Sequence, residues 1–326
     1  MIVFCGHVFC DSPIPAIVGG AGVTLFFVLS GYQIGRGFKT GRYTARSYLW
    51  KRFCTVCIPY FVLISILLLT MFPTMIRDDP MTVLRLFTFT YAGNLYDHID
   101  HLWFISVIMQ LYIMALLFNI VISRIKGNIN VCRIVFVILI ISGYMVRNMA
   151  SDLGISDSYY HVYSHFDAFF AAYMLSYMGL RTGRSAVLKV ISVVLLSFLY
   201  IGRNPYIGDF DLQIYRTAVV LIALLFIVAF DSNVRKGNDP LTVSAVRSNP
   251  ARIIEALSVI SFSFYMWHLV ILHTYWRATA HVPSVSGDLL AFAVSFPLSC
   301  IFGAIWYLFI ETKVKDVKIR YQTNNG

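Results

Sequence analysis

Apolar stretches recur from one end of this chain to the other, and each is near the length of about 20 residues that an α-helix needs to cross a bilayer. Candidate spans cover about 16–35, 54–73, 102–123, 131–148, 162–180, 186–202, 213–231, 255–276 and 288–310. A shorter apolar piece, residues 1–10, meets Asp11-Ser12-Pro13 at once. It lacks the basic n-region and the small-residue cleavage site of a signal peptide. It reads instead as the second half of a transmembrane helix whose first half is absent, which brings the expected total to about ten. Composition agrees. Hydrophobic residues make up 58% and charged residues 13% of the 326-residue chain, against roughly 25% charged in soluble domains. A membrane β-barrel would show short alternating segments instead. The sequence predicts an all-α, polytopic membrane helix bundle with an N-terminally truncated first helix, forming a single domain over 1–326.

A net charge of +10 would suit a nucleic-acid partner if the cations formed one patch, but they alternate with the loops. Placing loop 36–53 in the cytoplasm puts twenty of the 26 Lys and Arg residues inside, while Asp78, Asp79, Asp97, Asp100, Asp152, Asp157, Asp209 and Asp211 fall in outer loops. That pattern is the positive-inside signal. It predicts a multi-pass protein of the plasma or inner membrane, with the lipid bilayer as partner, no nucleic acid, both ends of the intact protein cytoplasmic, and a basic cytoplasmic tail over 312–326. Cys54-x-x-Cys57 has metal-like spacing, but no second pair or His lies nearby in sequence. Helix packing is therefore the expected role, and no metal is expected.

Ionisable groups inside spans are costly and mark candidate sites. His7 falls near the outer end of the first helix, and His101 opens the fourth just before Trp103. His161 and His165 are expected one turn apart in the sixth, with Asp167 beside them. His268 falls about 13 residues into the ninth, roughly 20 Å along at 1.5 Å per residue. Imidazoles move protons near neutral pH and suit general acid–base work. Ser258, Ser261, Tyr265 and His268, spaced 3, 4 and 3, should form one polar stripe on that helix. Plainer roles compete: cross-helix hydrogen bonding for His268, solvated loop edges for His101 and His161, interfacial packing for Trp103, Tyr159, Tyr160 and Tyr163. The glycines of 19–35, costly in a soluble helix, allow close helix approach in a bilayer.

Taken together the motifs resemble the acyltransferase type 3 family, integral-membrane O-acyltransferases of sugars. Gly22-Val23-Thr24-Leu25-Phe26-Phe27-Val28-Leu29-Ser30-Gly31 is similar to the family's second-helix signature, and His7, fifteen residues earlier, to its first-helix His. Lys51-Arg52-Phe53 leading to Ile58-Pro59-Tyr60 resembles the basic segment before the third helix, and His101-Leu102-Trp103-Phe104 the fourth-helix signature. Ser261-Phe262-Ser263-Phe264-Tyr265-Met266-Trp267-His268 matches Ser-x-Ser-x-Tyr-x-x-His, and Ile310-Glu311 the closing Glu. The resemblance runs from 7 to 311. The family's Arg eleven residues before the first His would fall before Met1. Thr55 stands where many members carry a further Arg, and Glu311 is followed by Thr312-Lys313 in place of x-Pro.

The resemblance implies transfer of an acyl group, usually acetyl, from cytoplasmic acyl-CoA (acetyl-CoA as donor substrate, with no bound cofactor) to a hydroxyl of a surface or exported carbohydrate or glycolipid. On that reading His7 is the general base, and Ser30, Tyr265 and His268 orient the base or the acceptor. Arg36, Arg42 and Arg52 offer cations to the donor's phosphates. Trp103, His101 and His165 fall on the acceptor side, and Glu311 in ion pairing or donor-side architecture. Direct transfer and an acyl-His intermediate both fit. The rival readings are a transporter or flippase without acyl chemistry, for which no paired repeats are visible, and an inactive truncated family member.

Overall fold

The computed structural model describes residues 2–9, 18–93, 98–125, 128–155, 157–178, 186–202, 212–230 and 255–314. Among these no residue is in a strand. The main α-helices are α1 (Ile2–Val8), α2 (Val18–Lys39), α3 (Ala45–Arg52), α4 (Ile58–Thr70), α5 (Met75–Asp78), α6 (Pro80–Phe87), α7 (Trp103–Arg124), α8 (Ile129–Asp152), α9 (Phe166–Met178), α10 (Ala186–Gly202), α11 (Leu212–Phe230), α12 (Ser261–Thr279) and α13 (Val285–Trp306), and residues 255–259 form a short helical piece before α12. A π-helical turn, Phe53–Cys57, joins α3 to α4, and a second, Tyr307–Glu311, prolongs α13.

Among the described residues five helical stretches are long and apolar enough to cross a membrane: Ala45–Thr70, Asp100–Arg124, Ile129–Asp152, Leu212–Phe230 and Val285–Val314. That is fewer than the expected ten. α9 has 13 residues and α10 has 17, both below the roughly 20 that a straight crossing takes. The bundle's exterior is apolar. Ile134, Val137, Ile138, Ile141 and Met145 of α8 are all exposed, a continuous apolar surface that water would not tolerate and lipid would. The protein is an all-helical membrane protein.

The tightest helix pair is α2 against α9. Side chains at Gly31 and Gly35 would collide with the backbone carbonyls of Phe169 and Tyr173, so both positions must be glycine for the helices to meet. The register, 31 with 169 and 35 with 173, makes the helices parallel. It ends where the Lys39 ammonium donates to the Ser176 and Tyr177 carbonyls at 3.3 and 2.8 Å, capping the C-terminus of α9 with a cation. This end of the bundle, which also carries Arg36, Arg42 and Arg52, is called the basic end here. α7 runs toward it, because the Tyr173 and Tyr177 hydroxyls, near the end of α9, both donate to Asn119 Oδ1.

Around these helices lies the main core, in which Phe27, Leu63, Ile105, Phe169 and Tyr173 are fully buried. A smaller core joins α1, α12 and α13 through Phe4, Val8, Phe264, Leu269, Leu272 and Ala291. At Gly303 a Cβ would press on the Phe264 backbone at 3.0 Å, which sets how closely α13 lies on α12. The seam between the two cores is where the imidazoles meet.

Three expectations change. Ser258 is not on the same helix as His268, because the chain turns at Ile260 (φ −92°, ψ 4°) before α12 starts. The polar stripe shortens to Ser261, Tyr265 and His268. His161 and His165 are not on a helix. They flank the 3-10 turn Val162–Ser164, and α9 begins only at Phe166. His101 is not a solvated loop edge. It is 1% exposed, packed beneath α12. The basic segments over 181–184, 235–252 and 315–320 lie outside the described residues, as does Cys10.

Candidate active site

Three separate pieces of chain bring an imidazole to the seam. His7 comes from α1, His101 from the 3-10 turn Asp100–Leu102 that leads into α7, and His268 from the middle of α12. His268 is the hub. Its ring centroid lies 5.5 Å from that of His7, 4.9 Å from His101 and 5.3 Å from Tyr265. α12 passes antiparallel to the segment that bears His101, with His273 against His98, His268 against His101 and Tyr265 against Phe104. α12 therefore starts toward the basic end and finishes at the opposite one.

Hydrogen bonds set the tautomers. His101 Nε2 lies 3.0 Å from the Met266 carbonyl, and His268 Nδ1 lies 2.5 Å from the Tyr265 carbonyl. A carbonyl oxygen only accepts, so these two nitrogens carry the protons. The lone pairs then reside on His101 Nδ1 and His268 Nε2, and both atoms are buried without a hydrogen-bond partner. Each ring is held through one nitrogen and keeps a basic nitrogen in reserve. The Tyr265 hydroxyl donates to the His101 carbonyl, fixing the turn that presents the ring. His7 is partly exposed, against His268. Among the described residues no three potential ligands are grouped to hold a metal ion.

A cavity of about 80 Å³ adjoins His268. Its lining runs from Leu257 and Ile260, just before α12, through Ser261 and Phe264 to His268, with Phe4 and Phe296 also lining it. Most of that lining is apolar, and it leads from the basic-end side of α12 to His268. Nearby, Ser263 Oγ donates to Glu311 Oε1 at 2.5 Å, tying the start of α12 to the end of the α13 extension.

The other predicted residues fall into two further groups. At the basic end Arg36 and Arg42 are exposed, and the Arg52 guanidinium lies 4.4 Å from the Tyr112 ring centroid and 5.4 Å from that of Tyr48. These rings and Arg52 line a second cavity of about 450 Å³ with Trp50 and Met109. Beside it, burial pushes the Tyr43 phenol up, but Lys51, whose ammonium donates to it at 3.0 Å, and the Arg52 and Arg42 charges outweigh burial. They hold the phenol below its ordinary value. Cys54 and Cys57 are buried in the adjacent π-helical turn and form no disulfide.

Toward the opposite end His165 is boxed by aromatics. It stacks on Phe27 at 4.7 Å and Trp103 at 5.5 Å, and its Nε2 donates to the Tyr159 carbonyl at 2.7 Å. Ser30 is partly exposed on α2, and no hydrogen bond joins it to the imidazoles. The structure therefore brings His7, His101, Tyr265 and His268 together and leaves Ser30, His165 and the arginines apart from them.

Two features were not singled out from the sequence. Arg147 of α8 is 2% exposed and pairs with Asp167 at 2.8 Å, while also donating to Thr217 Oγ1 and the Ser164 carbonyl. Its signal was present: position 147 lies inside the expected span 131–148, where a cation needs a partner. His98, His273 and His281, with Trp276 and Asp288, cluster at the far end of α12, and no sequence motif links them.

Comparison with curated proteins and with solved structures gives no match. A family model described as an acyltransferase domain matches residues 1–305, which takes in His7, His101 and His268 and ends before Glu311. The match covers nearly the whole chain, and the chain therefore belongs to the acyltransferase type 3 family.

Proposed function

We propose that this protein transfers a short acyl group from acyl-CoA to a hydroxyl of a carbohydrate or glycolipid acceptor, across about ten membrane-crossing segments in the plasma or inner membrane. The reading rests above all on one observation. An apolar cavity runs along the start of α12 to His268, and His268 and its neighbour His101 are each held through one nitrogen with the other nitrogen unused. With the basic end cytoplasmic, Arg36, Arg42 and Arg52 meet the donor's phosphates. The pantetheine arm follows the apolar lining, and the thioester arrives beside His268.

The acceptor hydroxyl enters from the other side. His7 takes its proton as the oxygen attacks the thioester carbonyl. The C–O bond forms, the C–S bond breaks, and the departing thiolate takes the proton back from the imidazolium as free CoA thiol. His268 and His101 lie on the line between the two sides and orient or pass that proton, with Tyr265 fixing the turn that carries His101. Glu311 holds the donor-side end of α13 to α12 through Ser263.

The experiment is ester formation by full-length protein in liposomes, with radiolabelled acetyl-CoA and a panel of oligosaccharide acceptors. Label should enter an alkali-labile ester with the wild type and not with His7→Ala, which should still reach the membrane in normal amount. Acylation by His7→Ala at the wild-type rate would remove His7 from this role. Movement of the glycan across the bilayer without ester would replace the reading by transport.

A further inference from the structure

The end of the α12–α13 hairpin opposite the basic end holds a second polar cluster that the chemistry above does not use. Ala280 adopts the left-handed conformation (φ 47°), which a non-glycine residue takes at a cost, and thereby folds His281 back onto α12. The His281 ring stacks on Trp276 at 5.4 Å and 10°, and its Nε2 donates to Asp288 Oδ1 at 2.9 Å. His273 meets the edge of Trp276 at 4.9 Å and packs against His98 at 5.4 Å. His98, against which His273 packs, lies three residues before His101. The cluster therefore adjoins the imidazole centre.

Two atoms in it are left over. Asp288 is 2% exposed, yet its Oδ2 has no hydrogen-bond partner, and neither has the buried Trp276 Nε1–H. Leaving a buried donor and a buried acceptor unmade costs free energy at each. The two leftovers are of opposite kind, and that selects the ligand. An anion would satisfy the indole N–H but is repelled by Asp288. A cation would satisfy Asp288 but offers the indole nothing. A neutral hydroxyl both accepts and donates, as each hydroxyl of a sugar does.

We propose that Trp276, His281, Asp288 and His273 form a binding subsite for a neutral, polyhydroxylated sugar, holding the acceptor beside His7. The proposal deepens the acyl-transfer reading and rests on it for the identity of the acceptor. Trp276 and Asp288 are positioning residues. They contact hydroxyls of the sugar other than the one that reacts.

The test uses the full chain in detergent or nanodiscs, with maltose, lactose and chitobiose as probes and two readouts: direct binding by calorimetry, and acylation kinetics with acetyl-CoA. Trp276→Phe keeps the ring and its packing while removing the N–H. Asp288→Asn keeps an oxygen for His281 and turns the free acceptor into a donor. Both should weaken sugar binding and raise the acceptor KM by about tenfold or more, as expected for losing a buried hydrogen bond, one of them to a charged group. The acetyl-CoA KM should stay within about twofold, a change worth little free energy. A purely structural clamp would shift both KM values together, or neither. An unchanged acceptor KM in folded Trp276→Phe, with acyl transfer intact, overturns the subsite and leaves the proposed function standing. Sugar binding that Asp288→Asn abolishes, in a protein that forms no ester, upholds the subsite and overturns acyl transfer.

Discussion

The Arg147 cluster and the imidazole cluster, both buried in this apolar bundle, are built on opposite plans. In the first, Arg147 of α8 meets Asp167 at the start of α9 and Thr217 of α11, and Gly143 leaves the space that the carboxylate fills. The charges cancel, and Nη1, Nη2 and Oδ2 are engaged in hydrogen bonds, while Arg147 Nε and Asp167 Oδ1 are enclosed by protein without a partner. Such a pair is weak evidence for net stability, because desolvation offsets much of its attraction. What it supplies is a fixed relation among three helices. In the second cluster His101 and His268 are held by backbone carbonyls through one nitrogen, and the other nitrogen is left with its lone pair. Inside a membrane, a buried pair whose opposite charges cancel each other is architecture. An imidazole clamped through one nitrogen, with a lone pair on the other, is prepared for a reactant.

That contrast can be broken by exchanging losses. On the proposed chemistry His7→Ala should lower acyl transfer by about 10²–10⁴, the usual contribution of a positioned general base. Its thermal unfolding in detergent should match the wild type. Arg147→Ala should do the reverse, destabilising by about 3–5 kcal/mol through the carboxylate left unpaired. Unfolding midpoints would show this directly, and the surviving folded fraction should keep its turnover per molecule. Replacing both partners, Arg147→Met with Asp167→Leu, should recover most of the loss. If His7→Ala melted early while Arg147→Ala melted normally but was inactive, the two clusters would have to trade roles.

A third variant tests the scaffold between them. Gly31→Leu places a side chain where the Phe169 carbonyl lies. Overpacking of this kind costs about 1–3 kcal/mol. Since Phe27, one turn earlier on α2, stacks on His165, the aromatic box around His165 should loosen with it, which tryptophan fluorescence of Trp103 would report.

Much of this was legible in the chain. Apolar run length and low charge gave the all-helical membrane class, and the Ser-x-Ser-x-Tyr-x-x-His spacing put Tyr265 and His268 on one face of α12, where they are found. Other features were hidden for physical reasons. Periodicity extends a helix through Ile260 because every neighbour is compatible with one, and only the backbone turn there removes Ser258 from the stripe. His101 reads as interfacial because its sequence neighbours are polar, yet the Met266 carbonyl, 165 positions away, accepts from its ring. The Trp276–His281–Asp288 cluster depends on the left-handed turn at Ala280, a conformation that alanine does not advertise. The Gly31 and Gly35 contacts were legible in kind, as small residues for close approach, but their partner α9 was not.

The smallest expected effect is the most discriminating. Tyr265→Phe removes one hydroxyl, whose hydrogen bond goes to the His101 carbonyl and to no imidazole nitrogen. If Tyr265 were itself an acid or base, its loss would match that of His7. Its geometry instead makes it a strut, holding the turn that aims His101 at His268. The variant should therefore cost about 1 kcal/mol in stability, the net value of one hydrogen bond. It should slow acyl transfer by only about tenfold, equivalent to 1.4 kcal/mol in the barrier. Substrate KM values should hardly move, because nothing that meets donor or acceptor has changed. A loss as deep as that of His7→Ala would place the hydroxyl among the reacting groups. No loss at all would mean that the Asp100–Leu102 turn holds its shape without the strut, and that the packing of His101 under α12 alone aims the ring.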